Sequence, residues 1–135
     1  MFETIRLATD ARGIATLGLN RPEKHNSLSG LMIEELTRAA TLLGKDPHVR
    51  VVILAAEGES FCAGGDLDWM KAQIAGDAAA RRAGAMALAG MLRALDLMPK
   101  PLIGRVQGAA YGGGVGMMSV CDLAVGVSGA KFGLT

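Results

Sequence analysis

Apolar and polar residues alternate in two short runs at the start of the chain, TIRL at 4–7 and IATLGLN at 14–20. The DARG segment at 10–13 between them is a turn signal, so the pattern predicts a β-hairpin. A polar loop, RPEKHNS at 21–27, follows. From residue 29 to about residue 44 Met32, Leu36, Ala40 and Leu43 recur at helical spacing, with Glu34 and Glu35 in the early turns, where the helix dipole favours acids. That predicts an amphipathic helix. The run VRVVILAA at 49–56 is nearly continuous and rich in β-branched residues, as in a strand buried on both faces.

Beyond this strand the pattern changes from a polar, glycine-rich stretch to a predicted helix starting at Asp66. Asp77 is placed to cap a longer helix whose Leu88, Met91, Leu92, Leu95 and Met98 form one face, ended by Pro99 and Pro101. LIGRVQG at 102–108 reads as a second buried strand, and it too runs into a glycine loop and a helix. A short strand in DLAVGVS at 122–128 is expected to close the chain. The unit of strand, glycine loop and helix therefore occurs twice, without the fixed period of a solenoid.

Composition narrows the classes. One domain is expected from 135 residues, half of them hydrophobic and 20% charged. A net charge of +1, few aromatic residues and no basic stripe exclude nucleic acid as a partner. Cys62 and Cys121 lie far apart, with only His25 and His48 to join them, so neither a disulfide framework nor a metal site is expected. The N-terminus lacks an apolar signal region, and no apolar run reaches the ~18 residues of a membrane span. A cytoplasmic location with no membrane partner is the expectation.

Glycine is the outlier, 19 of 135 residues, with a pair at 64–65 and three in a row at 112–114 where the two loops run into helices. The first N–H groups of a helix have no intrahelical partner and lie at its electropositive end. Two such ends meeting in space would aim two N–H groups at one developing oxyanion. The alternatives fit less well. Gly112 and Gly114 are followed by Met117 where a GxGxxG motif needs its last glycine, and no P-loop lysine is present. A GxSxG elbow is not met at 58–62. Glycines serving only tight packing remain open at this point.

Several segments together carry a resemblance: RPEKHNSL at 21–28, SFCAGGDL at 60–67, KPLIGRVQG at 100–108 with AYGGG at 110–114, and CDLA at 121–124 leading to KFGL at 131–134. In this order they resemble the enoyl-CoA hydratase/isomerase, or crotonase, family over the whole chain. DLDWM at 66–70 and YGGGVG at 111–116 look most like its methylglutaconyl-CoA hydratase branch.

The resemblance implies an α/β fold, the N-terminal part of a crotonase-like spiral of ββα units. Residues 1–135 would form that core without the family's C-terminal helical trimerisation part. It implies an enzyme that adds water to an α,β-unsaturated enoyl-CoA thioester. Coenzyme A is then part of the substrate, no separate cofactor is needed, and the complete protein is expected to be a homotrimer or a dimer of trimers. An enoyl-CoA isomerase with a single carboxylate and a non-catalytic acyl-CoA-binding subunit are the alternatives.

Carried over by residue, the implied oxyanion donors are the backbone N–H groups of Ala63 and Gly113. Lys24, Ala63, Gly64, Gly65, Asp66, Leu67, Gly113 and Gly116 are expected to contact substrate. Trp69 and Met70 are placed to line the acyl pocket, and Cys62 reads as a small buried residue. The family's first catalytic glutamate would fall at Gly116, so the space there is expected to hold substrate or water. A second glutamate would follow Thr135 directly, and the chain is expected to be a fragment of a longer one.

Overall fold

The computed structural model describes residues 1–134; Thr135, which precedes the expected second glutamate, lies outside them. β1 (Ile5–Thr9) and β2 (Ile14–Leu19) form the predicted antiparallel hairpin, in register from Ile5 opposite Leu19 to Thr9 opposite Ala15. The turn is built by Asp10, whose carboxylate accepts from the N–H groups of Arg12 at 2.8 Å and Ile14 at 3.1 Å. β2 then pairs parallel with β3 (Val51–Ala56), β3 with β4 (Leu102–Val106), and β4 with β6 (Leu123–Gly126), in the order β1-β2-β3-β4-β6.

Helices make the parallel crossovers, as parallel pairing requires. α1 (Gly30–Lys45) joins β2 to β3, and α2 (Leu67–Ala75) with α3 (Ala78–Leu97) joins β3 to β4. α4 (Gly113–Ser119) lies between β4 and β6. Each of the first three starts on a side-chain cap: Ser29 accepts from Met32 N–H, Asp66 from Trp69 N–H, and Asp77 from Ala80 N–H. Among the described residues no helix is long and apolar enough to cross a membrane.

The core lies between the inner face of the sheet and the apolar stripes of α1 and α3. Leu17, Leu19, Val52, Leu54, Leu102 and Val106 meet Met32, Leu36, Ala40 and Leu43 of α1 and Met91 and Leu95 of α3, all buried. Each large side chain buried in this way contributes roughly 1.5–3 kcal/mol. Leu88 and Leu92, expected on the same buried face, are only half-buried, and the first turns of α3 are exposed.

Two strands escape the sequence pattern. β5 (Ala110–Tyr111) and β7 (Phe132–Gly133) pair parallel as a second small sheet, so DLAVGVS does not close the chain. At two residues each, they carry no alternation to read. The strand expected from residue 49 begins at Val51, because Val49 N–H turns back to the Asp46 carbonyl and the Val49 carbonyl accepts from Lys100 Nζ at 2.6 Å.

The two acids expected on the early turns of α1 part company. Glu34 is exposed, whereas Glu35 is only 1% exposed. Its carboxylate accepts from Glu3 N–H at 2.9 Å, Thr4 N–H at 2.8 Å and Thr4 Oγ1 at 2.6 Å, pinning the start of β1 to α1. Burial pushes this carboxyl upward, but the hydrogen bonds from Thr4 and Glu3 outweigh it and hold it below its ordinary value of 4.5. A depressed folded value means the stabilisation is complete above that ordinary value and is lost as pH falls through the folded one. Glu35→Gln is therefore expected to cost roughly 1–3 kcal/mol at neutral pH. Urea unfolding should show the gap to wild type closing as pH drops below 4.5; a gap independent of pH would refute the charged role.

Candidate functional site

The site is assembled from two loops that follow β3 and β4, and a third loop locks the first in place. Pro22–Lys24 form a single 3₁₀ turn, after which His25 (φ 51°) and Asn26 (φ 54°) are left-handed. Asparagine tolerates this conformation better than most residues. Asn26 is fully buried: its Oδ1 accepts from Arg21 N–H at 2.7 Å, and its Nδ2 donates to the carbonyls of Glu57 at 2.8 Å and Ser60 at 3.0 Å.

Beside it the Arg21 guanidinium donates to the Ser27 carbonyl at 2.6 Å and pairs with Asp66 Oδ1 at 3.2 Å. The other Asp66 oxygen caps α2 through Trp69 N–H at 3.0 Å. Burial pushes the Asp66 carboxyl up, yet the Trp69 N–H and the Arg21 guanidinium hold it below the usual carboxylate range. His25 adds a ring contact, Nδ1 to Ser60 Oγ at 3.0 Å.

The glycine loop after β4 docks on the same segment. Phe61 and Cys62 N–H groups donate to the Ala109 carbonyl, and Tyr111 N–H donates to the Cys62 carbonyl at 2.9 Å. The three glycines at 112–114 then serve different ends. Gly112 has φ 51° and ψ −116°, which a side chain resists, and a Cβ on Gly114 would lie 2.5 Å from the Cys62 carbonyl oxygen. Gly113 opens α4 and faces the Leu28 side chain.

Backbone donors remain unused at both junctions, one on each loop among them. The N–H groups of Gly65 and Gly113 have no hydrogen-bond acceptor among the described residues. Both flank Leu28, which bridges Gly65 through bonds to the Gly64 carbonyl at 2.7 Å and from Asp66 N–H at 3.0 Å. A cleft of about 490 Å³ opens beside Gly65, bordered by Lys24, His25, Ala63, Asp66, Leu67, Met70 and Lys71.

The model of the family described as enoyl-CoA hydratase/isomerase matches residues 9–135. The chain belongs to the enoyl-CoA hydratase/isomerase family. A probable enoyl-CoA hydratase of Mycobacterium bovis is 36% identical over 124 residues, 92% of this chain and 47% of the relative. A crotonyl-CoA hydratase of Syntrophomonas wolfei is 35% identical over 133 residues, 98% of this chain and 50% of the relative. The crystal structure of an enoyl-CoA hydratase from Shewanella pealeana superposes with a TM-score of 0.94 at 34% identity, covering 97% of this chain and 49% of that one. The crotonase-like α/β fold is thereby shown, and the chain spans about half the length of the curated relatives it matches.

Within this hydratase/isomerase scaffold the predicted site residues separate. Lys24, Ala63, Gly65, Asp66 and Leu67 border the cleft. Ala63 N–H, however, donates to the His25 carbonyl at 3.0 Å, so the expected oxyanion donor is already engaged and the free one is two residues on, at Gly65. The Asp66 carboxylate pairs with Arg21 and caps α2, a structural role, while the residue itself borders the cleft. Gly64 is buried against the Tyr111 carbonyl.

Neither Gly113 nor Gly116 borders the cleft, and a Cβ at Gly116 would meet the δ-methyls of Leu92 at 3.3 and 3.4 Å. Leu92 borders the space expected to hold substrate or water, and Gly116 stays partly exposed. Cys62 is buried, and burial pushes its thiol up to about 11, so it is inert at neutral pH. Lys71 was not singled out from the sequence. Its place four residues after Leu67, on the same helix face, is the signal that brings it to the cleft.

Asn26→Ala removes the amide that joins three backbone groups and places a side chain without Asn's tolerance at φ 54°. The expected cost is roughly 3–4 kcal/mol in urea unfolding. Asn26→Gly, which accepts the backbone angle but lacks the amide, should recover only about 1 kcal/mol of it. A loss under about 1 kcal/mol for the alanine variant would show that the amide is not the tie.

Proposed function

We propose that the complete protein acts on an acyl-CoA thioester whose carbonyl oxygen is held by the N–H groups of Gly65 and Gly113. The observation that carries this reading is the pair of unpartnered donors that both adjoin Leu28, one of them, Gly65, bordering the cleft. Negative charge that develops on the thioester oxygen when the α-carbon becomes enolate-like is stabilised by such preorganised donors. Lys24 and Lys71, at the same cleft, supply the cations for the phosphates of coenzyme A.

The reaction is addition of water across an α,β-unsaturated enoyl-CoA: oxygen joins the β-carbon and a proton joins the α-carbon. A carboxylate outside these 135 residues moves the proton, and the reaction needs no separate cofactor. The DLDWM and YGGGVG segments support an acyl group like that of the methylglutaconyl-CoA hydratases. The Leu92 side chain over Gly116 favours a second reading, double-bond isomerisation, because shifting one proton along an allylic system needs only one carboxylate.

Gly113→Pro in the full-length protein removes one donor at the first helical position, where proline is otherwise tolerated. Turnover of crotonyl-CoA, followed by loss of the conjugated enoyl-thioester absorbance, should fall on the order of a hundredfold. Gly113→Ala brings a similar Cβ against Leu28 but keeps the N–H, and should retain most of the activity. Equal rates for the two folded variants would rule out Gly113 as a donor. Turnover of a 3-enoyl-CoA but not of crotonyl-CoA would favour the isomerase.

A further inference from the structure

The chain carries eight methionines, and burial divides them. Met32, Met91, Met98 and Met117 are buried in the core and Met118 is half-buried, whereas Met1, Met70 and Met86 are exposed. Of the exposed ones, Met70 borders the cleft and the others do not. Its place is fixed by the first turn of α2, where its N–H donates to the Asp66 carbonyl at 2.9 Å. From that anchor the side chain lies over Gly65: a Cβ there would come 3.2 Å from both Cγ and Sδ of Met70. Two bonds separate a Cβ from its backbone nitrogen, so the sulfur is within about 6 Å of the nitrogen of Gly65.

We propose that Met70 is an oxidative modification site of the cleft, and that its sulfoxide oxygen takes the Gly65 N–H and withholds it from a thioester. This rests on the reading of the cleft as an acyl-CoA site. A thioether sulfur is a weak acceptor, so with Met70 reduced the Gly65 N–H stays free although the sulfur is close. Hydrogen peroxide changes the sulfur's character. A sulfur lone pair attacks one peroxide oxygen, the O–O bond breaks as the S–O bond forms, and the second oxygen leaves as water with both protons. Sulfur loses two electrons and peroxide gains them. The product is a polar sulfoxide on a side chain with three rotatable bonds, beside a donor that has no partner.

Other oxidisable groups do not compete for this role. Burial pushes the thiols of Cys62 and Cys121 up to about 11, which keeps them from the thiolate form that peroxide attacks. The core methionines are shielded, and Met1 and Met86 lie away from the cleft, so oxygen added to those two leaves the Gly65 donor untouched. Methionine sulfoxide is reduced again by dedicated reductases, so the modification is a reversible switch.

Isothermal titration of the full-length protein with coenzyme A and with butyryl-CoA, before and after peroxide, measures the effect, and peptide mass spectrometry locates the added oxygen. Each protein is compared with its own untreated form. With Met70 oxidised, the Kd for butyryl-CoA is expected to rise about tenfold, and that for coenzyme A, which has no thioester carbonyl, by less than about twofold. Met70→Leu, which lacks the sulfur, should hold its own butyryl-CoA affinity through the treatment. Met86→Leu should lose affinity as wild type does, and methionine sulfoxide reductases should restore the wild-type value. Met70 still reduced when Met86 is fully oxidised, complete oxidation of Met70 without loss, or an equal loss in Met70→Leu or for coenzyme A overturns the switch while the cleft reading stands. Failure of both ligands to bind untreated, folded protein overturns the cleft reading and this proposal together.

Discussion

The Asn26 amide is the contact on which the site's geometry depends. One side chain, fully buried, holds the backbone of the 21–27 loop to the carbonyls of Glu57 and Ser60 on the loop that leaves β3. In a buried setting each of those groups would be costly to leave unpaired, so the two loops move as one body or not at all. Everything downstream inherits this position. Ala63 is fastened to His25, Leu28 is threaded between Gly64 and Asp66, and α2 begins where Asp66 is held by Arg21.

Close approach of the second loop is the next constraint, and it is met by removing side chains. Gly114 lies against the Cys62 carbonyl, and Tyr111 N–H donates to that same oxygen. The packing reading of the glycines and the oxyanion reading are therefore not rivals. Gly112 and Gly114 let the loops touch, and that contact sets Gly113 against the Leu28 side chain, whose backbone bridges Gly65. A 7-residue α4 has no side-chain cap, and its first N–H groups are left without acceptors.

Charge follows the same division between structure and ligand. Glu35 and Asp66, the buried carboxylates, are each satisfied by protein donors and hold elements together. Lys24 and Lys71 border the cleft, and neither forms an ion pair among the described residues, which leaves both available to an anion. Placing the satisfied charges inside and the free ones at the cleft avoids the desolvation cost of an unpaired buried ion.

Local periodicity carried much of the fold. The hairpin, α1, α3 and the strands β3 and β4 are visible in the sequence because each buries one face that repeats at a period of two or near 3.6. β3 and β4, expected as buried strands, β3 on both faces, bury chiefly the inner one, and their outer residues are mostly half-buried or, at Arg105, exposed. The family was legible too, since its segments occur in order along the whole chain. What depends on partners distant in sequence was not. β5 and β7 exist only through each other, and Glu35 differs from Glu34 only because Thr4 happens to lie beneath it. The N–H of Gly65 stays unengaged and that of Ala63 does not because the carbonyl of His25, 38 residues earlier in the chain, accepts the Ala63 N–H. Sequence by itself determined the elements that bury a repeating face, through short-range burial patterns; the tertiary structure alone decided the β5–β7 pair and which polar groups are consumed or stay free, because a hydrogen bond can be counted only once both of its ends have been brought together.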